Sequence, residues 1–158
     1  MRVTQKLPFL CVVASALFAL ALGAADRPNA AGAGGESVRF QAILVVASDE
    51  GATDASLAAF EPRLRTMLRF RSYHRIGGGS ASIAAAGEST IALGRGNSLD
   101  LWVDDVTASE VSFGVRWFNE KVNLVNMKGT RRRGGETFLV GPKTEDGKGH
   151  YAVIITSK

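Results

Sequence analysis

The chain has 158 residues, of which 46% are hydrophobic and 22% charged, with 19 basic against 15 acidic residues and a formal charge of +4. That length fits one globular domain behind a short leader. The composition excludes a disordered chain, and the small charge argues against a nucleic-acid binder. The single cysteine excludes a disulfide-stapled fold and a cysteine-rich metal site.

Arg2 and Lys6 open the chain, Leu7 to Leu22 run apolar apart from Pro8 and Ser15, and Gly23, Ala24 and Ala25 follow. A positive start, a short apolar run and a small-residue end form the pattern of a secretory signal peptide. The run falls short of the roughly 20 residues that span a bilayer. Residues 1–25 are therefore read as a signal cleaved after Ala25, and the product as periplasmic or secreted, with no transmembrane segment. Cys11 lies inside the apolar run and leaves with the signal. Removing Arg2 and Lys6 also halves the positive excess.

Residues 26–37 ("DRPNAAGAGGES" from Asp26) are small and polar and read as a flexible lead. Residues 38–158 form one β-rich domain. Its first strand, "VRFQAILVV", puts Phe40, Ala42, Leu44 and Val46 on one face. Ile43 and Val45 fall on the other, so the strand belongs in the middle of a sheet. Next comes the one helical candidate, with Leu57, Phe60, Leu64, Met67 and Leu68 on one stripe and Asp54 placed to cap it. Pro62 predicts a break, itself opening a second helical piece.

Short strand patterns follow: "RSYHRI", "SASIAAA", "STIAL", "SLDLWVDDV", "EVSFGVRWF", "KVNLVNM", "ETFLVG" and "YAVIIT". Leu99, Leu101 and Val103 alternate, as do Val111, Phe113, Val115 and Trp117, and Tyr151, Val153 and Ile155. Turn signals divide them at Gly77–Gly79, "AGE", "GRGN" and "DGKG". Connections this short make neighbours antiparallel. The predicted fold is mainly β, formally α+β. It is an antiparallel β-sandwich or bent sheet with one helical segment near the N-terminus of the mature domain.

An "FQAILVVASDE" strand and acidic loop, an aromatic strand "FRSYHRI" and a closing "GP…GHYAVIIT" hairpin together resemble a loose group of small exported bacterial β-rich proteins. The resemblance implies the architecture. No activity is attached to the group, and no site residue carries over.

Chemistry-bearing patterns are sparse. His74 and His150 lie far apart, without ligand spacing around them. Asp49, Glu50 and Asp54 make an acidic loop that lacks the closing glutamate of a calcium loop. Asp104 and Asp105 are adjacent, so on a strand they face opposite ways, and they are read as the start of a turn. "GGGSAS" lacks the lysine and spacing of a phosphate loop and reads as a turn. No G-x-S-x-G elbow is present. No metal, cofactor or catalytic residue is expected.

Aromatics interleaved with arginines are the remaining signal, since such pairs can stack on planar or ring-shaped ligands. The binding candidates are Arg71, Arg116, Phe118 and the triplet Arg131, Arg132 and Arg133, the last read as the solvated tip of a hairpin. The expected function is an exported, non-enzymatic domain that binds a protein or a cell-envelope component. A binder of anionic polymer or membrane surface through these arginines is the alternative, and a small hydrolase with an unrecognised site the third.

Overall fold

The computed structural model describes residues 36–158; the signal reading and nearly all of the lead lie outside the described residues. Eight strands form two four-stranded antiparallel sheets, the arrangement of a β-sandwich. They are β1 (Ser37–Ser48), β2 (Ser72–Ala84), β3 (Glu88–Gly94), β4 (Asn97–Val106), β5 (Glu110–Asn119), β6 (Val122–Arg132), β7 (Glu136–Lys143) and β8 (His150–Ser157). The first sheet runs β2-β1-β8-β7 and the second β3-β4-β5-β6. The chain crosses between sheets twice, from β2 to β3 and back from β6 to β7.

Alternation along the strands places the core. Leu99, Leu101 and Val103 of β4 and Val111, Phe113, Val115 and Trp117 of β5 turn inward. They meet Phe40, Ala42 and Leu44 of β1 and Tyr151, Val153 and Ile155 of β8. Phe40 and Phe113 pack with ring centroids 5.2 Å apart. The opposite face of β1 is apolar too, because something else covers it. Ile43, Val45, Ala47, Tyr73, Ala152 and Ile154 lie beneath Leu57 and Leu64 of the helical segment. The strand read as central has β2 on one side and β8 on the other.

Pro62 acts as expected. A single 3-10 turn, Ala55–Leu57, comes first, and α1 (Glu61–Leu68) begins with the proline in its opening turn, where the missing N–H costs nothing. With α1 limited to eight residues and ended by Arg69 at φ 58°, the apolar stripe is narrower than its spacing implies. Leu64 is buried, but Met67 is 45% exposed.

Three expectations are corrected. "RSYHRI" and "SASIAAA" are one strand, not two separated by a turn: Gly77 to Gly79 lie within β2. A Cβ at Gly77 would stand 1.8 Å from the carbonyl oxygen of Leu93, and one at Gly79 would stand 2.7 Å from Ile91 Cγ2. These glycines let β3 approach β2 backbone to backbone, a role a turn reading misses. Asp104 and Asp105 do not begin a turn, since β4 continues to Val106; a bulge between Val103 and Asp105 inserts Asp104 as an extra residue. The arginine triplet is not a hairpin tip. Arg131 and Arg132 end β6, and Arg133 stands where the chain crosses to the other sheet.

Candidate functional site

The two sheets differ in what covers their outer faces. The helical segment lies over the first, whereas the outer face of the second carries polar and aromatic side chains open to solvent. Because β5 turns its odd-numbered residues inward, Ser112, Gly114, Arg116 and Phe118 point out. Antiparallel register arranges them in rows. One row holds Glu88, Trp102, Gly114 and Lys128; the next holds Thr90, Asp100, Arg116 and Asn126.

Trp102 and Gly114 form the unusual pair. A Cβ at Gly114 would fall 2.0 Å from Trp102 Cζ2 and 2.1 Å from Cε2, so the indole occupies the space of the missing side chain. No other residue permits this, which is why a glycine sits in the middle of an otherwise β-favouring strand. The ring thus lies down over β5 and buries Gly114. The Arg116 guanidinium stands 5.4 Å from the Trp102 ring centroid and 5.9 Å from that of Phe118. Both distances fall within cation–π range. Asp100 lies 3.6 Å from Arg116 and accepts a 2.8 Å hydrogen bond from Thr90. Lys128 pairs with Asp104 at 3.1 Å. Shallow depressions flank the ring, one of about 320 Å³ toward Glu88 and Thr90 and one of about 490 Å³ toward Asn126 and Lys128.

Of the six candidate binding residues, the structure brings together Arg116 and Phe118. Arg71 stands at the other sheet, where its backbone N–H donates to Asp49. Arg131 and Arg132 alternate faces along β6, opposite Val111 and Glu110. Arg133 pairs with the Glu36 carboxylate. Trp102, the centre of the face, belongs to the aromatics that lie near arginines in the sequence but is not one of the six binding candidates. The signal that finds it is the lone glycine of "EVSFGVRWF" opposite a tryptophan strand.

No known family model, curated protein or solved structure matches this chain.

Both histidines are engaged structurally. His74 turns Nδ1 to Asp54 at 3.4 Å and Nε2 to the Glu50 carbonyl at 3.3 Å, leaving no ring nitrogen to face a substrate. Asp54 does not cap the helical segment with its side chain; it accepts a 2.7 Å bond from the Arg75 N–H. That bond, ahead of His74, holds its carboxyl below the ordinary 3.8. His150 packs against Phe70 and faces the Gly141 carbonyl.

A cleft of about 660 Å³ opens where the β7–β8 hairpin meets the end of β1; the carboxylates of Asp49, Glu50, Glu145 and Asp146 line it, and no histidine does. There Tyr151 donates a 2.7 Å hydrogen bond to Glu145, and Thr144 donates to Asp146 at 2.5 Å. Those bonds hold both carboxyls below their ordinary values. A general acid or base needs the opposite adjustment, toward neutrality. Among the described residues, no group of three or more His, Cys, Asp or Glu is placed to hold a metal ion, and no helix is long and apolar enough to cross a membrane.

Proposed function

We propose that this is an exported, non-catalytic binding domain that holds a cell-envelope component on the outer face of the second sheet. The observation that carries the reading is the Trp102–Gly114 pair. A large apolar ring is held half-exposed on the outer face of the second sheet, which no helix of the described residues covers, where a core-forming tryptophan would turn inward as Trp117 does. Aromatic side chains with polar surroundings are the usual anchors of binding surfaces. Export is read from the N-terminal sequence pattern. The hydrolase alternative has less support, because no histidine lines the cleft beside the β7–β8 hairpin and both histidines are engaged elsewhere. The anionic-polymer alternative also loses support, because Arg116 and Lys128 already face Asp100 and Asp104 and the remaining candidate arginines are dispersed.

Cosedimentation with purified bacterial envelopes tests the reading. Wild type is expected to pellet, and Trp102→Ala is expected to stay in the supernatant with an unchanged thermal melt. Equal pelleting of the two proteins would refute this face as the site.

A further inference from the structure

We infer that the ligand is an uncharged or weakly charged polysaccharide, one ring of which stacks on Trp102; this rests on the binding-face reading above. Sugar rings present an apolar face of C–H groups and a rim of hydroxyls. They are recognised by a flat aromatic plane with hydrogen-bonding groups of both kinds around it. The aromatic surface is here, held against β5 in the space of the Cβ that Gly114 lacks. The Arg116 guanidinium stands over part of this plane, 5.4 Å from the ring centroid, so a sugar on the indole would meet the arginine's N–H donors at the same time.

The rim is mixed in the same way. Glu88 offers a carboxylate with no ion-pair partner among the described residues, and the Asn126 amide offers both a donor and an acceptor. Arg116 and Thr90 supply further polar groups. A hydroxyl both donates and accepts, and this set satisfies it; a phosphate or nucleic-acid backbone needs donors and positive charge instead. This face carries a modest negative excess, unsuited to an anionic ligand: Glu88, Asp100, Asp104 and Asp105 stand against Arg116 and Lys128, with two of the carboxylates already paired to those cations.

The shape favours a chain over a single sugar. The two depressions lie on either side of the Trp102–Arg116 pair, and both are open, so a polymer can cross the strands with one unit on the indole and a unit on each side. A protein partner is a poorer fit. It would bury on the order of 800 Å² per side around an apolar centre, and the rows beside Trp102 are hydrophilic.

The test uses the mature protein and four insoluble probes: cellulose, chitin, protease-treated peptidoglycan sacculi and untreated envelopes. Wild type is expected to be retained on at least one of the three polysaccharide matrices in high salt. Trp102→Ala should weaken retention about tenfold or more. Gly114→Ala, which displaces the indole while keeping it, should weaken it comparably, and Arg133→Ser should not. Retention on untreated envelopes that protease treatment abolishes, with none on the polysaccharides, would overturn the glycan assignment and leave the binding face standing. Absence of retention on all four probes would overturn both. Retention on a polysaccharide that Trp102→Ala leaves unchanged would overturn the stacking site.

Discussion

Asn97→Ala should destabilise the domain by more than its size suggests. Trp117 is fully buried, and its indole N–H donates to Asn97 Oδ1 at 2.9 Å; Asn97, 4% exposed, in turn donates to the Arg95 carbonyl at 3.0 Å. Truncating Asn97 leaves a buried indole N–H without a partner, at a cost of about 1–3 kcal/mol. Loss of the bond that steadies the β3–β4 turn adds about 0.5–1.5 kcal/mol. The expected total of about 2–4 kcal/mol is a large share of the ~5–15 kcal/mol that holds a domain together. It should lower Tm by roughly 4 °C per kcal/mol. Urea titration followed by far-UV circular dichroism reads the change without depending on the tryptophans. The decisive comparison is a double-mutant cycle with Trp117→Phe. Without an indole N–H to strand, Asn97→Ala should cost only about 1 kcal/mol, giving a coupling of about 1–3 kcal/mol. A coupling under about 0.5 kcal/mol would show that the buried bond does not carry the cost.

Gly77→Ala should lower Tm sharply in a thermal melt, because its Cβ would stand 1.8 Å from backbone at Leu93, whereas Gly129→Ala, whose Cβ meets only Arg131 Nη1 at 3.5 Å, should change little. Tyr151→Phe should make acid destabilisation shallower. The Tyr151 hydroxyl is the main cause of the lowered Glu145 pKa, so its stabilising effect is complete above the ordinary value of 4.5 and fades as pH falls below it; melts at about pH 5 and pH 3 in both proteins measure the difference. Changing Arg131, Arg132 and Arg133 together to serine should lower Tm by no more than a few degrees by scanning fluorimetry. The one side-chain ion pair lost, Arg133 to Glu36, is partly exposed, and such pairs contribute about 0–1 kcal/mol.

Much of the architecture is legible because it depends on period-two alternation. The inward faces of β4, β5 and β8 can be read directly from their apolar residues, and the doubly apolar β1 announces a strand covered on both sides. Pro62 marks the helical break for a local reason, its missing N–H. The sequence is less informative where glycine serves a distant neighbour. Gly77 and Gly79 look like a turn because the atoms that exclude a side chain there belong to Leu93 and Ile91 of β3, beyond the reach of any local pattern. Gly114 looks like an interruption because its reason is Trp102, across the strand. The same limit hides the site. Arg116 and Phe118 stand out by type, but the geometry that makes Trp102 a platform exists only once β4 and β5 are in register. The fate of the triplet is equally non-local, since "KGTRRRGGET" carries turn signals whether the next strand joins the same sheet or, as here, the opposite one.

The first and last strands have one more consequence. Arg39 and Lys158 exchange backbone hydrogen bonds of 3.0 and 2.8 Å, so the beginning of β1 and the end of β8 are neighbours in the first sheet. The sandwich can therefore be re-cut: a short glycine-serine bridge joining these two points, with new ends opened in the exposed Asp146–Gly147 turn, keeps every strand pairing in both sheets. Such a permuted chain should reach the same native state, and it would place a fusion or immobilisation handle at the β7–β8 turn, in neither sheet's outer face and clear of Trp102.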